Sequence, residues 1–337
     1  MSRATRRAIA LAVLAAVSGA PRPVQAQGAG QTYLLVVSGV SGEKRFGDTF
    51  HAWGMALLAA GTTKFGIPAE QMAYLAEDST RDARRIRGRS TKANVETTLM
   101  RMASQAREGD RLVVVLFGHG SAQGAEPRFN LPGPDMTAAD FARVLAPARA
   151  TVVFVNTASA SGDSVKALSA KNRVIITATK SAREQNETYF PQHFVEALTG
   201  TAGDADKDGR VSILEAFTYA RREVERLFEQ GNRIASEHPQ LDDDGDGVGH
   251  GDASDKGPDG RRSRTLYLEP LGGVQTASDP RAAQLLNERR TLEARIDSLR
   301  GRRSSMSEEA YQRALEPLMI ELAEKTRALR ALEARKP

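Results

Sequence analysis

The strongest constraint on the fold is a series of short apolar runs that alternate with segments of helical spacing. The runs are rich in β-branched residues and too short for buried helices, so they predict buried strands. They lie at 32–37, 72–76, 111–117, 152–155 and 173–179. Segments with helical spacing lie at 49–60, 94–106, 137–145 and 188–198. This alternation predicts an α/β fold with a mostly parallel sheet and helices on both faces.

The first 26 residues have the pattern of a secretory signal peptide. Arg3, Arg6 and Arg7 precede an apolar stretch at 8–20, which is shorter than the ~20 residues needed to span a bilayer. Small residues then offer a cleavage site after Ala26. No other apolar run is long enough to span. We therefore expect an exported protein, periplasmic or secreted, with no membrane span after signal cleavage.

Charge and cysteine content argue against three further properties. The chain has 337 residues and a formal charge of +5, but residues 1–26 hold four arginines and no acid, so the charge of the remainder falls to +1. We therefore expect no nucleic-acid partner. The chain has no cysteine, which excludes both a disulfide framework and a thiol nucleophile.

Two of the predicted strands end in segments that suggest a catalytic arrangement. The run at 111–117 is followed by Gly118-His119-Gly120, and the run at 152–155 by the small and polar residues of NTASASG at 156–162. Ligands of parallel sheets bind at the carboxyl ends of strands. If the two strands are neighbours, His119 lies near Ser159, which could act as a nucleophile.

This pair of motifs resembles those of the caspase, legumain and gingipain group of cysteine peptidases. In that group a strand ending in His-Gly supplies the general base, and the next core strand ends in Ala-Cys, often followed by Ser-Gly. The resemblance covers roughly residues 32–200. It implies a caspase-like sandwich, with the backbone amides of Gly120 and Ser159 as an oxyanion hole. A loop at 178–188 then implies a polar pocket beside Ser159, although a solvated loop explains it equally well.

The sequence departs from this group at the nucleophile, because Ser159 stands where the family has cysteine. A serine hydroxyl is far less acidic than a thiol and needs a well-placed base and usually a group that orients it. Asp163 or Glu184 could come close in space. We predict a non-catalytic pseudopeptidase that acts as a binding or scaffold module, with a peptide or protein ligand at the His119/Ser159 cleft. The alternative is a hydrolase with a Ser159–His119 dyad.

An acidic loop at 204–215, DADKDGRVSILE, fits the EF-hand calcium loop. It has aspartates at positions 1, 3 and 5, glycine at the sharp turn of position 6, serine at position 9 and glutamate at position 12. Position 7 would contribute its carbonyl oxygen. We predict that this loop binds Ca²⁺ through Asp204, Asp206, Asp208, Arg210, Ser212 and Glu215.

A second acidic loop, at 242–253, repeats part of this pattern but has Ala253 at position 12. Asp252 or Asp255 could substitute for the missing carboxylate. A flexible acidic linker explains the same composition. The candidate ligands of a second metal ion are Asp242, Asp244, Asp246 and Asp252.

The C-terminal segment, 280–337, has two apolar stripes separated by a break at 301–307. These predict an antiparallel helical hairpin with coiled-coil character, which could self-associate or bind a protein. A purely structural envelope component, with its function in this hairpin, is a third hypothesis. The predicted domains are a signal peptide at 1–26, an α/β domain at 27–200, a calcium-binding segment at 201–262 packed on that domain, a linker at 263–279 and the hairpin.

Overall fold

The computed structural model describes residues 30–124, 126–207, 209–269 and 306–333, together with individual residues between 281 and 299. The predicted signal peptide at 1–26 lies outside these residues, as does Asp208 of the first acidic loop. Among the helices of the described part of the chain, none is both long and apolar enough to cross a membrane.

The strands form two sheets. Seven strands form the main sheet, in the order β10-β9-β8-β4-β1-β2-β3, and three form a small antiparallel sheet in the order β5-β6-β7. In the main sheet only the β10–β9 pair is antiparallel. The strands are β1 (Thr32–Ser38), β2 (Met72–Ala76), β3 (Gly88–Arg89), β4 (Arg111–Phe117), β5 (Gly120–Gln123), β6 (Glu126–Phe129), β7 (Met136–Thr137), β8 (Thr151–Asn156), β9 (Arg173–Thr177) and β10 (Gln240–Asp242).

Helices cover both faces of the main sheet. One face packs against α1, α5 and α6, and the other against α2, α3 and α4. The helices are α1 (Lys44–Thr63), α2 (Lys92–Gln105), α3 (Ala138–Leu145), α4 (Ser164–Leu168), α5 (Phe190–Thr199), α6 (Ile213–Gln230) and α7 (Glu308–Glu333). This confirms the predicted α/β fold with a mostly parallel sheet between two layers of helices.

The central strands are apolar along their whole length because both faces of the sheet are buried. Val36 and Val155 face one helical layer, while Leu35 and Phe154 face the other, and all four are at most 1% exposed. A reciprocal capping box begins α3. Thr137 accepts a hydrogen bond from the amide of Asp140, whose carboxylate returns one to the amide of Thr137.

The main sheet and its core continue beyond residue 200, where the sequence suggested a domain boundary. Strand β10 pairs with β9, and the α6 residues Phe217 and Val224 belong to the same apolar cluster as Val36 of β1. The predicted linker at 263–279 also begins as packed structure. Ser263–Thr265 forms a 3₁₀ helix, and Leu268 is 2% exposed. A single core therefore spans the two predicted domains.

The second arm of the predicted hairpin is α7, and described residues of the first arm pack against it. Leu292, Ile296 and Leu299 form an apolar cluster with Tyr311 and Leu318. The Lys325 ammonium lies 2.6 Å from the Glu288 carboxylate. Residues early in one arm therefore meet residues late in the other, as in an antiparallel pair.

Candidate functional site

Adjacent strands bring His119 and Ser159 to the same edge of the main sheet. Strands β4 and β8 pair in parallel, with Leu116 opposite Asn156. His119 and Ser159 each follow this pair by three residues, so both lie beyond the carboxyl ends of their strands. The two strands are therefore neighbours, and the two sequence motifs meet at the same edge of the sheet.

The hydroxyl of Ser159 is engaged by the backbone of Gly120. Its Oγ donates to the carbonyl oxygen of Gly120 at 3.0 Å and lies 3.2 Å from the amide nitrogen of Gly120, which donates to it. Ser159 is 6% exposed. The Gly120 amide, which the family resemblance implies as part of an oxyanion hole, therefore binds the hydroxyl that occupies the nucleophile position. The O–H donor and one of the two acceptor lone pairs of the hydroxyl are therefore directed at the backbone.

The contacts of His119 are not those of a general base, which would accept a hydrogen bond from the Ser159 hydroxyl. Its Nε2 lies 3.2 Å from the carbonyl oxygen of Ser41. Its ring stands edge-on to Phe46, with centroids 4.6 Å apart, and edge-on to Phe50 at 5.5 Å. Among the contacts of these two described residues, no hydrogen bond joins the imidazole to Ser159. Proton transfer between them would require a rearrangement.

The cleft between the two residues is nearly filled. Aromatic side chains of α1 form one wall, and the cavity measures about 10 Å³. A single water molecule needs a cavity of roughly 10–15 Å³. The lining residues are Phe46, Phe50, Trp53, Gly118, His119, Thr157, Ser159, Glu187, Thr188 and Pro191. In this conformation a peptide side chain does not fit beside Ser159.

The two carboxylates considered as orienting groups for His119 have other partners. Asp163 accepts a hydrogen bond from the amide of Ala182 at 2.8 Å. Glu184 lies with Oε1 2.5 Å from Nδ1 of His238. In the described part of the chain, neither carboxylate contacts His119. Neither carboxylate therefore orients the imidazole of His119 in this conformation.

A buried carboxylate, Glu237, fixes the loop beside the cleft. Its two oxygens accept hydrogen bonds from the amides of Tyr189 and Phe190 at 2.8 and 2.9 Å, at the start of α5. Burial, together with the nearby Glu184 carboxylate, raises the pKa of Glu237 to about 7, although the two amide hydrogen bonds act in the opposite direction. Glu237 thus positions the segment that contributes Thr188 and Pro191 to the cleft.

The first acidic loop has a geometry suited to a cation. One carboxylate oxygen from each of Asp204, Asp206 and Glu215 lies within 4.8 Å of the others. The amide of Gly209 donates to Asp204 at 2.9 Å, and Gly209 has a φ of 85°, which favours glycine. Such converging oxygens are the ligands that Ca²⁺ prefers. The predicted ligand Asp208 lies outside the described residues.

The remaining predicted ligands of this loop also hold it in place. Ser212 caps α6, and its hydroxyl and the Glu215 carboxylate form a reciprocal capping box. The Arg210 side chain lies over the ring of Tyr267, with the guanidinium carbon 3.5 Å from the ring centroid. The amide of Ile213 donates to the carbonyl of Leu266 at 2.8 Å. Contacts within the protein therefore anchor the loop to residues 266–267.

The second acidic loop brings together three of its four candidate ligands. One oxygen from each of Asp242, Asp244 and Asp246 lies within 4.8 Å of the others, whereas Asp252 is not part of this group. Asp242 is fully buried and accepts hydrogen bonds from the amides of Gly245 and Gly247, at 2.9 and 3.2 Å. The loop is folded on the end of β10 and does not have the form of a flexible linker.

The sequence interpretation missed the residues that close the cleft. Phe46, Phe50 and Trp53 are spaced by four and three residues along α1, which places them on one helical face. That spacing was visible in the sequence, but the predicted helix began at 49 and omitted Phe46. The sequence did not indicate a role for Glu237 or His238, because they lie in an irregular segment after α6.

Comparisons with known proteins give only distant similarity. No family model matches the chain, and no curated protein matches it. The crystal structure of drICE, a caspase, is similar to this chain at 10% identity with a TM-score of 0.39, covering 64% of this chain and 88% of drICE. Protein GSU0716 from Geobacter sulfurreducens is similar at 12% identity with a TM-score of 0.40, covering 63% of this chain and 92% of that protein.

Proposed function

We propose that this protein is an exported, calcium-binding scaffold or binding module whose peptidase-like site does not catalyse hydrolysis. The proposal combines the sequence motifs at His119 and Ser159 with the contacts of those side chains. The observation that carries it is the double hydrogen bond between the Ser159 hydroxyl and the backbone of Gly120. A serine nucleophile needs a base that accepts its hydroxyl proton and a free amide that can stabilise the oxyanion. Here the hydroxyl donates to the Gly120 carbonyl instead, and the Gly120 amide already donates to the hydroxyl.

The size of the cleft supports the same conclusion. Specificity pockets for side chains are concave and hold the ligand group they select. The cavity beside Ser159 has room for about one water molecule. Binding of a peptide or protein ligand at this edge would therefore use the surface around the cleft, or would first displace the aromatic side chains of α1.

The alternative is a hydrolase that becomes active by rearrangement. His119 and Ser159 already follow neighbouring strands, so a movement of α1 could open the cleft and free the imidazole. Turnover of a peptide library by the wild type and by Ser159→Ala separates the two functions. A non-catalytic protein gives the same background rate in both. A hydrolase gives turnover that Ser159→Ala lowers by about 10³-fold or more while the protein stays folded.

The calcium-binding part of the proposal rests on the first acidic loop. Its carboxylates converge, and Gly209 provides the turn that such a loop requires. We expect Ca²⁺ to bind the folded state and to raise the melting temperature. Binding at a hundredfold excess over the dissociation constant stabilises a folded protein by about 2.7 kcal/mol.

Calorimetric titration with Ca²⁺ tests this part of the proposal. Asp206→Asn removes a candidate ligand, and we expect it to weaken binding and abolish the calcium-dependent shift in melting temperature. Asp244→Asn is the matched change in the second loop and measures any contribution of that loop. A melting temperature that is the same with Ca²⁺ and with a chelator would contradict calcium binding at both loops.

A contact through the hairpin, with a second copy or with another protein, also belongs to this proposal. The apolar cluster of the hairpin forms between its own two arms. Deletion of 280–337, followed by measurement of the molar mass in solution, tests self-association. An unchanged oligomeric state would remove self-association from the account.

A further inference from the structure

One short segment of the surface is unusually basic. The sequence RDARRIRGR, at 81–89, contains five arginines in nine residues. Arg81 pairs with Asp48 at 2.6 Å. The other four, Arg84, Arg85, Arg87 and Arg89, have no ion pair with any described carboxylate. Unpaired guanidinium groups at this density attract anions.

A groove lies beside this segment, at the edge of the main sheet formed by β2 and β3. Strand β3 has only two residues and pairs with Leu75 and Ala76 alone. Met72 and Ala73 therefore lack a strand neighbour on that side, and a cavity of about 350 Å³ opens between this edge and α2. That volume is within the range of small-molecule sites, about 300–1,000 Å³.

One face of α2 forms the opposite wall. Asn94, Thr97, Thr98 and Arg101 line the groove at helical spacing of three, four and seven residues from the first. The opposite face of α2, with Leu99 and Met102, is buried in the core. The polar face of the helix is therefore held towards the groove by the packing of its apolar face.

The lining provides the contacts that an organic phosphate requires. Arg87 and Arg101 offer guanidinium groups from two different elements, and the hydroxyls of Thr97 and Thr98 can donate to further oxygens. Guanidinium groups bind phosphate oxygens through paired hydrogen bonds. Ala73 and Leu75, on the face of β2 that packs against α2, line the groove with apolar atoms. Glu70 is the one acidic residue of the lining, and it could accept a hydrogen bond from a hydroxyl of that body.

We propose that this groove binds a small organic phosphate, with its phosphate between Arg87 and Arg101 and its organic part on Ala73 and Leu75. The groove volume of about 350 Å³ and the opposing Glu70 carboxylate favour a small ligand over an extended polyanion. The site is separate from the His119/Ser159 cleft, because it lies on β2, β3 and α2 whereas the cleft lies at β4 and β8. It therefore does not depend on the function proposed above.

Calorimetric titration of the purified protein tests this site. The probes are glucose 6-phosphate, inorganic phosphate and unphosphorylated glucose, with an oligonucleotide and a sulfated polysaccharide as extended polyanions. We expect the phosphates to bind, glucose not to bind, and Arg87→Gln or Arg101→Gln to weaken binding about tenfold or more, as the loss of a charge-assisted hydrogen bond requires. Arg84→Gln is the matched control, because it removes the same charge from the same segment without altering the lining. We expect it to change affinity less than about twofold at physiological salt.

A steric variant keeps the test independent of charge. A Cβ at Gly88 would have its nearest neighbours at 3.7 and 3.8 Å, so the first carbon of Gly88→Val has only ordinary contacts, and we expect its two methyl groups to occupy part of the groove. We expect this variant to lose binding with all arginines intact. No saturable binding at about 10 mM phosphate, where a site of about 1 mM affinity would fill, overturns the proposal. Unchanged affinity in Gly88→Val, an equal loss in Arg84→Gln, or stronger binding of an oligonucleotide or sulfated polysaccharide overturns it too.

Discussion

At the scale of single residues, the chemistry of the cleft depends on how closely two backbone segments approach each other. Gly120 lies so near the segment after β8 that a Cβ on it would come within 2.1 Å of the carbonyl oxygen of Ser159. The same approach places the Ser159 hydroxyl between the amide and the carbonyl of Gly120. Glycine at 120 therefore permits the contact that occupies the hydroxyl.

Gly120→Ala should destabilise the protein for this reason. The added methyl meets backbone atoms that cannot move independently, and such overpacking costs roughly 1–3 kcal/mol. Denaturation by urea measures the change. Gly88→Ala is the matched control, because its added Cβ would have only ordinary contacts, at 3.7 Å and beyond. Equal stability of the two variants would contradict the close approach of Gly120 to the carbonyl oxygen of Ser159.

Glu237 predicts a specific dependence of stability on pH. Its pKa rises from the ordinary 4.5 to about 7 in the folded protein, so between these values the folded state holds a proton that the unfolded state has lost. The free energy of unfolding should therefore fall as the pH rises from about 4.5 to about 7, by up to about 3 kcal/mol from this group.

Comparison with Glu237→Gln isolates this contribution. The amide does not titrate, so the dependence of unfolding free energy on pH should flatten in the variant between pH 5 and 7.5. Urea denaturation at a series of pH values provides the measurement. An identical pH dependence in the variant and the wild type would contradict a raised pKa at Glu237.

At the scale of elements, the short strand β10 organises the second acidic loop. Its last residue is Asp242, and the adjacent Asp243 points into the fold, where it is 2% exposed. Asp243 accepts hydrogen bonds from the amides of Gly260 and Ser263, at 3.0 and 2.8 Å, and from the Ser263 hydroxyl at 2.7 Å. One acid of this run is therefore structural, while its exposed neighbour Asp244 faces the candidate metal site.

Asp243→Ala should lower stability even without calcium. It leaves three donors unsatisfied in a buried position, and the loss of hydrogen bonds to a buried charge costs about 3 kcal/mol or more. Asp244→Ala is the neighbouring control and should change stability in the presence of a chelator by about 0.5 kcal/mol at most. Thermal unfolding with a chelator distinguishes them. Similar losses in both variants would contradict the structural role of Asp243.

The elements with long apolar runs were predictable from the sequence, and the short ones were not. Strands β1, β4 and β8 are buried on both faces, so their composition alone indicates them. The three residues of β10 lie in an acidic stretch, and their place in the sheet comes from pairing with β9. Asp243 and Asp244 look alike in the sequence, because only the tertiary structure determines which of the two is buried.

At the scale of the whole molecule, one core connects the candidate site to the first acidic loop. Helices α1, α5 and α6 pack on the same face of the main sheet, with α1 closing the cleft and α6 beginning at the acidic loop. The positions of His119 and Ser159 at one sheet edge could be predicted, since parallel neighbours end together. The closure of the cleft could not, because Phe46 and His119 are far apart in sequence and meet only when α1 packs against the sheet.

The measurement that tests the central claim most directly is labelling of Ser159 by a broad serine-reactive phosphonate, with the adduct located by mass spectrometry. The protein is treated with Ca²⁺ and with a chelator, and Ser159→Ala and His119→Ala serve as controls. Because the Ser159 hydroxyl is bound by Gly120 in a nearly filled cleft, we predict no adduct on Ser159 in the folded, calcium-loaded protein. An adduct on Ser159 that disappears in both variants would contradict the account and identify a serine hydrolase.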